Sequence, residues 1–349
     1  MAPGMARLVC GSAGLRLAQR MLVFWAAAAL TLAAAEAAAG PGKMPSQRPA
    51  DGRSERTVGE WLARMHDASR QRSYVGTFVV SSSNGAMSSA RIWHACDEQR
   101  QADRIESLSG ERRSTFRRND EVLTFLPESR TVRIEPREAL GLFPDVLKPD
   151  ETAIPEFYAA RRVGSDRVAG FEADIVQVLP KDALRFGYRI WSEKKTGLVI
   201  KVQTVDDAGR VLEQAAFSEL QLDAPVRVER LTQMMAVPEG WRVEKSDAVK
   251  TTAAAEGWEL RTPIAGFKPL NCYKRPPDGV VQWIFSDGLA SVSVFVESYD
   301  RQRHVQEGVF ASGATHTVTH RVQDWWITAV GEVPAQTLRA FSLGLERRR

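Results

Sequence analysis

Phe186-Gly-Tyr-Arg-Ile-Trp, a break around Glu193 to Gly197, Leu198-Val-Ile-Lys-Val-Gln, a second break at Asp206-Asp-Ala-Gly, and Val211-Leu-Glu-Gln-Ala-Ala-Phe together decide the fold. β-branched and aromatic residues fill the runs, and turn-forming residues fill the breaks, so the stretch reads as three consecutive strands. Parallel neighbours need crossover segments of a dozen or more residues. The breaks are shorter than that, so the strands are antiparallel and the unit is a meander. The same device recurs upstream. Tyr74-Val-Gly-Thr-Phe-Val-Val-Ser, the turn Ser82-Ser-Asn-Gly and Ala90-Arg-Ile-Trp-His form one hairpin. Glu121-Val-Leu-Thr-Phe-Leu, Pro127-Glu-Ser and Thr131-Val-Arg-Ile-Glu form another.

A helix precedes the first hairpin. Thr57 with Glu60 three positions on makes a capping box, and Trp61, Leu62, Met65 and Ala68 then recur at helical spacing. His66 lies beside that stripe and reads as a solvated side chain. One stretch interrupts the meander: Glu138-Ala-Leu-Gly-Leu-Phe-Pro-Asp-Val-Leu, then Ile154-Pro-Glu-Phe-Tyr. It is apolar and punctuated by proline, with neither strand nor long-helix periodicity. Two readings fit it, plain core filling or a cover over the open face of a curved sheet that gates a cavity.

Residues 224–256 are polar and weakly periodic and read as a connector. Beyond them, Val280-Val-Gln-Trp-Ile-Phe, the turn at Ser286-Asp-Gly, Ala290-Ser-Val-Ser-Val-Phe-Val-Glu, Thr315-His-Thr-Val-Thr-His and Trp325-Trp-Ile-Thr-Ala-Val-Gly form a second set of strands. Val292, Val294 and Val296 alternate with Ser291, Ser293 and Phe295, so this sheet has one covered face. Its cover is expected to be a closing helix with Pro334 near its first position and Leu338, Phe341 and Leu345 on one side. The terminal Glu346-Arg-Arg-Arg is expected to suit that helix's C-terminal end.

At the N-terminus, Arg7, Arg16 and Arg20 precede the uncharged run Met21 to Ala35, MLVFWAAAALTLAAA, which is shorter than the about 20 residues a membrane span needs. Ala37-Ala38-Ala39 then supplies an A-x-A site, and Ala33-Ala34-Ala35 a second, so residues 1–39 read as a secretory signal peptide, with an uncleaved N-terminal anchor as the alternative, and no integral membrane span is expected after cleavage. Residues 40–56 form a flexible lead-in. The domains expected are therefore 57–223 and 257–346, joined by 224–256, in keeping with a length of 349 residues. The formal charge is only +4, part of it in the leader, so a nucleic-acid partner gains no support.

Export fits the cysteines without deciding their state. Cys96 and Cys272 remain after the leader, either bridged or as two separate thiols. Neither belongs to a C-x-x-C, so no redox or zinc role is expected. His316 and His320, four apart on a strand, would stand about 13 Å from each other, too far to share a metal. No G-x-S-x-G, phosphate-binding glycine loop or H-E-x-x-H occurs. Neither an enzyme nor a cofactor is expected.

Tyr188-Arg-Ile-Trp-Ser-Glu-Lys-Lys-Thr-Gly-Leu-Val-Ile-Lys-Val, Asp207-Ala-Gly-Arg-Val-Leu-Glu-Gln and Phe217 resemble the RseB/MucB family of periplasmic regulators of the envelope-stress sigma factor. Phe285-Ser-Asp-Gly-Leu-Ala-Ser-Val-Ser-Val and Val330-Gly-Glu-Val-Pro-Ala-Gln-Thr resemble the same family. The resemblance implies a mainly β (α+β) fold. Its larger part is an N-terminal unclosed antiparallel β-barrel of the LolA type with covering helices; its smaller part is a C-terminal antiparallel sheet covered by a helix. It also implies a periplasmic partner, the periplasmic domain of a membrane-spanning anti-sigma factor, shielded from proteolysis until lipopolysaccharide or lipoprotein acyl chains release it. A lipid or lipoprotein carrier is the alternative. On that basis Phe125, Leu142, Phe143, Leu147, Phe157 and Tyr158 are the residues expected to touch acyl chains. Arg112, Arg113, Arg117 and Arg118 either meet phosphate groups or form a solvated face. No partner-binding residue is singled out.

Overall fold

The structure, a computed structural model, describes residues 56–97, 100–118, 121–136 and 153–348. The leader and nearly all of the lead-in lie outside the described residues, as do Leu142, Phe143 and Leu147. Helix α1 (Val58–Gln71) begins at the expected capping box: Glu60 N–H donates to Thr57 Oγ1 at 3.2 Å, and Thr57 N–H donates to Glu60 Oε2 at 2.7 Å. Val58, Trp61, Leu62, Met65 and Ala68 form its buried face.

The meander follows. Strands β1 (Tyr74–Ser82), β2 (Met87–Cys96), β3 (Gln101–Ser107), β4 (Ser114–Arg118), β5 (Glu121–Leu126) and β6 (Thr131–Pro136) run in sequence. The short helix α2 (Ile154–Phe157) leads into β7 (Tyr158–Val168), β8 (Phe171–Pro180), β9 (Gly187–Glu193), β10 (Val199–Val205) and β11 (Val211–Leu222). Strand β11 pairs back onto β1, and β12 (Arg242–Lys245) joins β6 in parallel. Among the described residues this gives one twelve-stranded sheet, β12-β6-β5-β4-β3-β2-β1-β11-β10-β9-β8-β7, whose end strands do not pair: an unclosed barrel. Helix α1 fills its inner face, where Trp61, Leu62 and Met65 pack with Tyr74, Ile92, Ile190, Ile200 and Phe217. Gly76 lets the Phe217 ring lie on the β1 backbone; a Cβ there would stand 2.6 Å from that ring.

The stretch expected as a plain connector is built into both sheets. Helix α3 (Val228–Gln233) places Val228 and Leu231 on Ala95 and Ala102, covering the outer face of β2 and β3. Met235 and Trp241 pack on Phe116, Leu123, Phe125 and Val132. Strand β12 then extends the large sheet, and β13 (Val249–Thr251) begins the small one. Apolar residues three to seven apart, scattered among charges, cover a sheet face here without showing a clean helical or strand period.

After β14 (Trp258–Leu260), the small sheet is built from β15 (Lys268–Lys274), β16 (Val281–Ser286), β17 (Ser291–Ser298), β18 (Gly308–Ser312), β19 (Thr315–Val322) and β20 (Trp325–Gly331). With β13 its order is β13-β15-β16-β17-β20-β19-β18. Val292, Val294 and Val296 are buried and Ser291, Ser293 and Phe295 are not, as their alternation requires. Helix α4 (Ala335–Leu343), N-capped at Pro334, lays Leu338 and Phe341 on this face, with Phe341 4.7 Å from the Phe285 ring. The expected C-terminal end of that helix is corrected. The helix stops before Gly344, and Leu345–Arg347 forms β21, antiparallel to β14. Arg347 lies over Trp325 at 4.7 Å and Trp258 at 5.3 Å, so it covers indole faces and does not neutralise a helix end.

Candidate binding site at the joint of the two sheets

Phe157 and Tyr158 lie where the large and small sheets meet. The 181–186 segment between β8 and β9 carries Arg185, whose side chain is fully buried and paired with an equally buried Asp287 of the β16–β17 turn, Nε to Oδ2 at 2.7 Å. The Tyr158 hydroxyl donates to the same Oδ2 at 2.9 Å. The guanidinium also bonds Asp182 and the Ala265 carbonyl. Its remaining faces are apolar: Phe157 at 4.3 Å and Phe267 at 4.9 Å. Asp287 Oδ1 meanwhile accepts the N–H groups of Leu289 and Ala290 at 2.9 and 2.7 Å, which fixes the turn. Every strong donor around this carboxylate is matched, as a buried charge demands.

Two leucines lock the joint reciprocally. Leu184, from the large-sheet side, packs against the small sheet's core, and Leu289, from the small-sheet side, packs against the large sheet's core. Helix α4 adds Thr337 Oγ1 to Leu184 O at 2.8 Å and Gln336 to the Ala183 carbonyl. Gly266, at φ +82°, is obligatory: a Cβ would stand 2.2 Å from Arg185 and 2.8 Å from Phe157. Burial, then the neighbouring Tyr188 and Asp287, pushes the Tyr158 phenol well above its ordinary range, so it stays a neutral donor. A second approach joins the sheets at Gly313, where a Cβ would stand 2.4 Å from Ser82 Oγ, and at Phe186, edge-on to His316 at 5.5 Å.

The other residues marked out in the sequence fall elsewhere. Phe125 packs against Phe116 at 5.4 Å and Trp241 at 6.0 Å on the outer face, away from Tyr158 and α1. Arg117 is buried against Asp103 at 3.2 Å. Arg113 is half-buried, and desolvation lowers its pKa; Arg112 is exposed, and Arg118 lies 3.9 Å from Glu121. Arg112 and Arg113 precede β4, whereas Arg117 and Arg118 are consecutive on it and so point to opposite faces; the four do not form one patch. Cys96 and Cys272 are both free thiols. Among the described residues no group of His, Cys, Asp or Glu is gathered to hold a metal ion, and no helix is long and apolar enough to cross a membrane.

Sequence reasoning missed Arg185. Nothing in Lys181-Asp-Ala-Leu-Arg distinguishes a buried arginine from a solvated one. Asp287 was within reach, since it belongs to the Ser286-Asp-Gly turn and to a stretch that carries the family resemblance.

Comparisons with known proteins bear on this architecture. The model of the MucB/RseB N-terminal domain matches residues 57–235, and that of the MucB/RseB C-terminal domain matches residues 252–346. The sigma factor AlgU regulatory protein MucB of Pseudomonas aeruginosa is 30% identical over 299 residues, 82% of this chain and 90% of its own. The sigma-E factor regulatory protein RseB of Escherichia coli (strain K12) is 24% identical over 297 residues, 81% of this chain and 89% of its own. The crystal structure of MucB in complex with MucA(peri) matches with a TM-score of 0.63 at 26% identity, over 84% of this chain and 99% of that chain. By both family models, in order along one chain, the protein belongs to the MucB/RseB family of sigma factor regulatory proteins.

Proposed function

We propose that this protein is a periplasmic negative regulator of an envelope-stress sigma factor. It binds the periplasmic part of a membrane-spanning anti-sigma factor and shields that segment from the protease that starts its destruction. Lipid-like signals, lipopolysaccharide or mislocalised lipoprotein acyl chains, weaken the hold. The observation that carries the reading is the match to MucB over nearly the whole length of a chain seen in complex with MucA(peri). The two expected domains, 57–223 and 257–346, act in this reading as one binding unit held by the Arg185–Asp287 joint.

The ligand-responsive part is assigned to the apolar segment through Leu142, Phe143 and Leu147 with Phe157 and Tyr158. Phe157 rests on Arg185 and Tyr158 bonds Asp287, so a ligand that displaced these two side chains would pull directly on the joint. The test is protease protection. The periplasmic segment of the cognate anti-sigma factor is incubated with its initiating protease, with and without this protein. Slower cleavage in its presence, relieved by added lipopolysaccharide, is the expected result. Equal cleavage rates overturn the regulator reading. A carrier reading would instead need stoichiometric co-purified lipid and no binding to the anti-sigma segment.

A further inference from the structure

Outside the joint, one cross-strand row of the large sheet is polar and buried. Tyr74, His94, Asp103 and Arg117 stand opposite one another in turn on β1, β2, β3 and β4, each of them buried. His94 Nδ1 lies 2.5 Å from Asp103 Oδ1, and Arg117 Nε lies 3.2 Å from Asp103 Oδ2. The His94 ring stacks on Tyr74 with centroids 4.8 Å apart. Two residues along β2, on the same face as His94, comes Cys96, half-buried where the strand ends. Its N–H donates to Ser73 Oγ at 3.2 Å, and its Sγ lies 3.9 Å from that hydroxyl.

Asp103 occupies one nitrogen of the His94 ring. The other, Nε2, is buried and has no hydrogen-bond partner, on the strand face that also carries Cys96. Burial opposes charge on this imidazole, but Asp103 and then Cys96 outweigh it and raise its pKa to about 9, so the ring is an imidazolium at neutral pH. His94 draws the Cys96 thiol below its ordinary range, against burial and with smaller help from Ser73, while Asp97 opposes the shift. A thiol beside an imidazolium at an accessible rim has the setting of a nucleophilic cysteine. Cys272 has the reverse setting: it lies in the small sheet's core, its thiol pushed up to about 11 by burial and then by Glu256.

We propose that Cys96 is a reactive thiol site that takes small disulfides, with His94 touching the thiol and Asp103 positioning His94. Cys96 Sγ attacks one sulfur of the disulfide as a thiolate. A new S–S bond forms, the old one breaks, and the second sulfur leaves with the bonding pair as a thiolate that solvent protonates. The Cys96 sulfur is oxidised and the departing sulfur reduced. Cys272, buried in the other core, is not placed to resolve the product, so the end state is a mixed disulfide at the rim of the large sheet.

The test uses the purified protein and an aromatic disulfide that releases a coloured thiolate, at about pH 6, with sites assigned by peptide mass mapping. Cys96 is expected to react about tenfold or more faster than an unstructured cysteine peptide, with Cys272 unmodified until the chain is unfolded. His94→Gln is expected to bring the Cys96 rate down to that of the peptide at about pH 6 and to leave it little changed above about pH 9. A Cys96 rate at or below the peptide's, or equal labelling of both thiols in the folded chain, overturns the proposal. If His94→Gln fails to fold, the comparison of the unaltered protein with the peptide decides alone.

Discussion

Asp287→Asn tests the joint with one atom. Oδ1 of Asp287 is held as acceptor by the Leu289 and Ala290 N–H groups, so an asparagine keeps its oxygen there and turns its NH2 toward Tyr158 and Arg185. The Tyr158 hydroxyl can rotate to accept. Arg185 cannot, because a guanidinium has donors only. Its charge, with a side chain wholly out of water, is left to Asp182, which is itself 30% exposed, and to one carbonyl. Removing one partner of a buried pair costs about 3–5 kcal/mol, most of it the price of the charge left behind. At about 2–4 °C per kcal/mol for a domain of this size, the thermal midpoint falls by on the order of 10 °C.

The partner experiment removes the stranded charge. Arg185→Met alone leaves Asp287 buried with Tyr158 and two backbone donors, while Arg185→Met with Asp287→Asn leaves no fully buried uncompensated ion, since Asp182 keeps access to water. The double variant is therefore expected to be more stable than the sum of the single losses predicts, with a coupling of about 2 kcal/mol or more. Urea unfolding followed by tryptophan fluorescence and by far-UV circular dichroism measures it, and divergence of the two probes would report the sheets separating in turn. Additivity within about 0.5 kcal/mol, or a loss below about 1 kcal/mol for Asp287→Asn, refutes the assignment of this pair as the joint's fastening.

Three further outcomes follow from other parts of the molecule. Trp61→Ala removes the largest side chain that α1 lays on the inner face, and is expected to cost about 3–5 kcal/mol in the same urea assay; a loss under about 1 kcal/mol would mean that α1 is not part of the core. His94, at about 9 in the fold against an ordinary 6.5, contributes stability that is complete below 6.5 and lost as pH rises through 9. The stability difference between the unaltered protein and His94→Gln should therefore shrink by on the order of 3 kcal/mol between about pH 6 and pH 10, and a constant difference contradicts the raised value. Phe143→Ser with Phe157→Ser should weaken release of the anti-sigma segment by acyl ligands while the fold persists; loss of folding instead means that these rings fill the core.

Where sequence and fold agreed, a local pattern was enough. The Thr57–Glu60 box, the β9–β11 meander and the alternation of Val292, Val294 and Val296 each depend on neighbours within a few residues, and each appears as read. What escaped depended on partners remote in sequence. Strand β7 carries Arg161, Arg162, Asp166 and Arg167, too polar to read as a strand until β8 pairs with it and Asp174 receives Arg162 at 2.8 Å. Arg117 belongs to a run of arginines that reads as a solvated face, and only the register that sets Asp103 opposite it turns it inward. Leu345 keeps helical spacing with Phe341, yet β14 offers a strand edge that the last residues of the chain complete.

The chemistry of the joint bears on how a regulator of this kind could switch. Two sheets held only by apolar contacts can slide by small amounts, since hydrophobic contact has no direction. A joint centred on Arg185, Asp287 and Tyr158 has direction: a small displacement strands buried donors and a buried charge, so intermediate angles are disfavoured and the arrangement is made or broken as a unit. A partner that grips both sheets then selects between two discrete states. A ligand that favours one of them changes the partner's affinity by the same factor by which the partner changes its own. In the proposed function Phe157 is where such a ligand would gain leverage, because its ring covers the guanidinium and its backbone continues into the strand that carries Tyr158. A ligand that drew that ring aside would expose the charge to water and reduce the penalty for parting Arg185 from Asp287, whereas a variant without the ring gives the ligand nothing to draw aside.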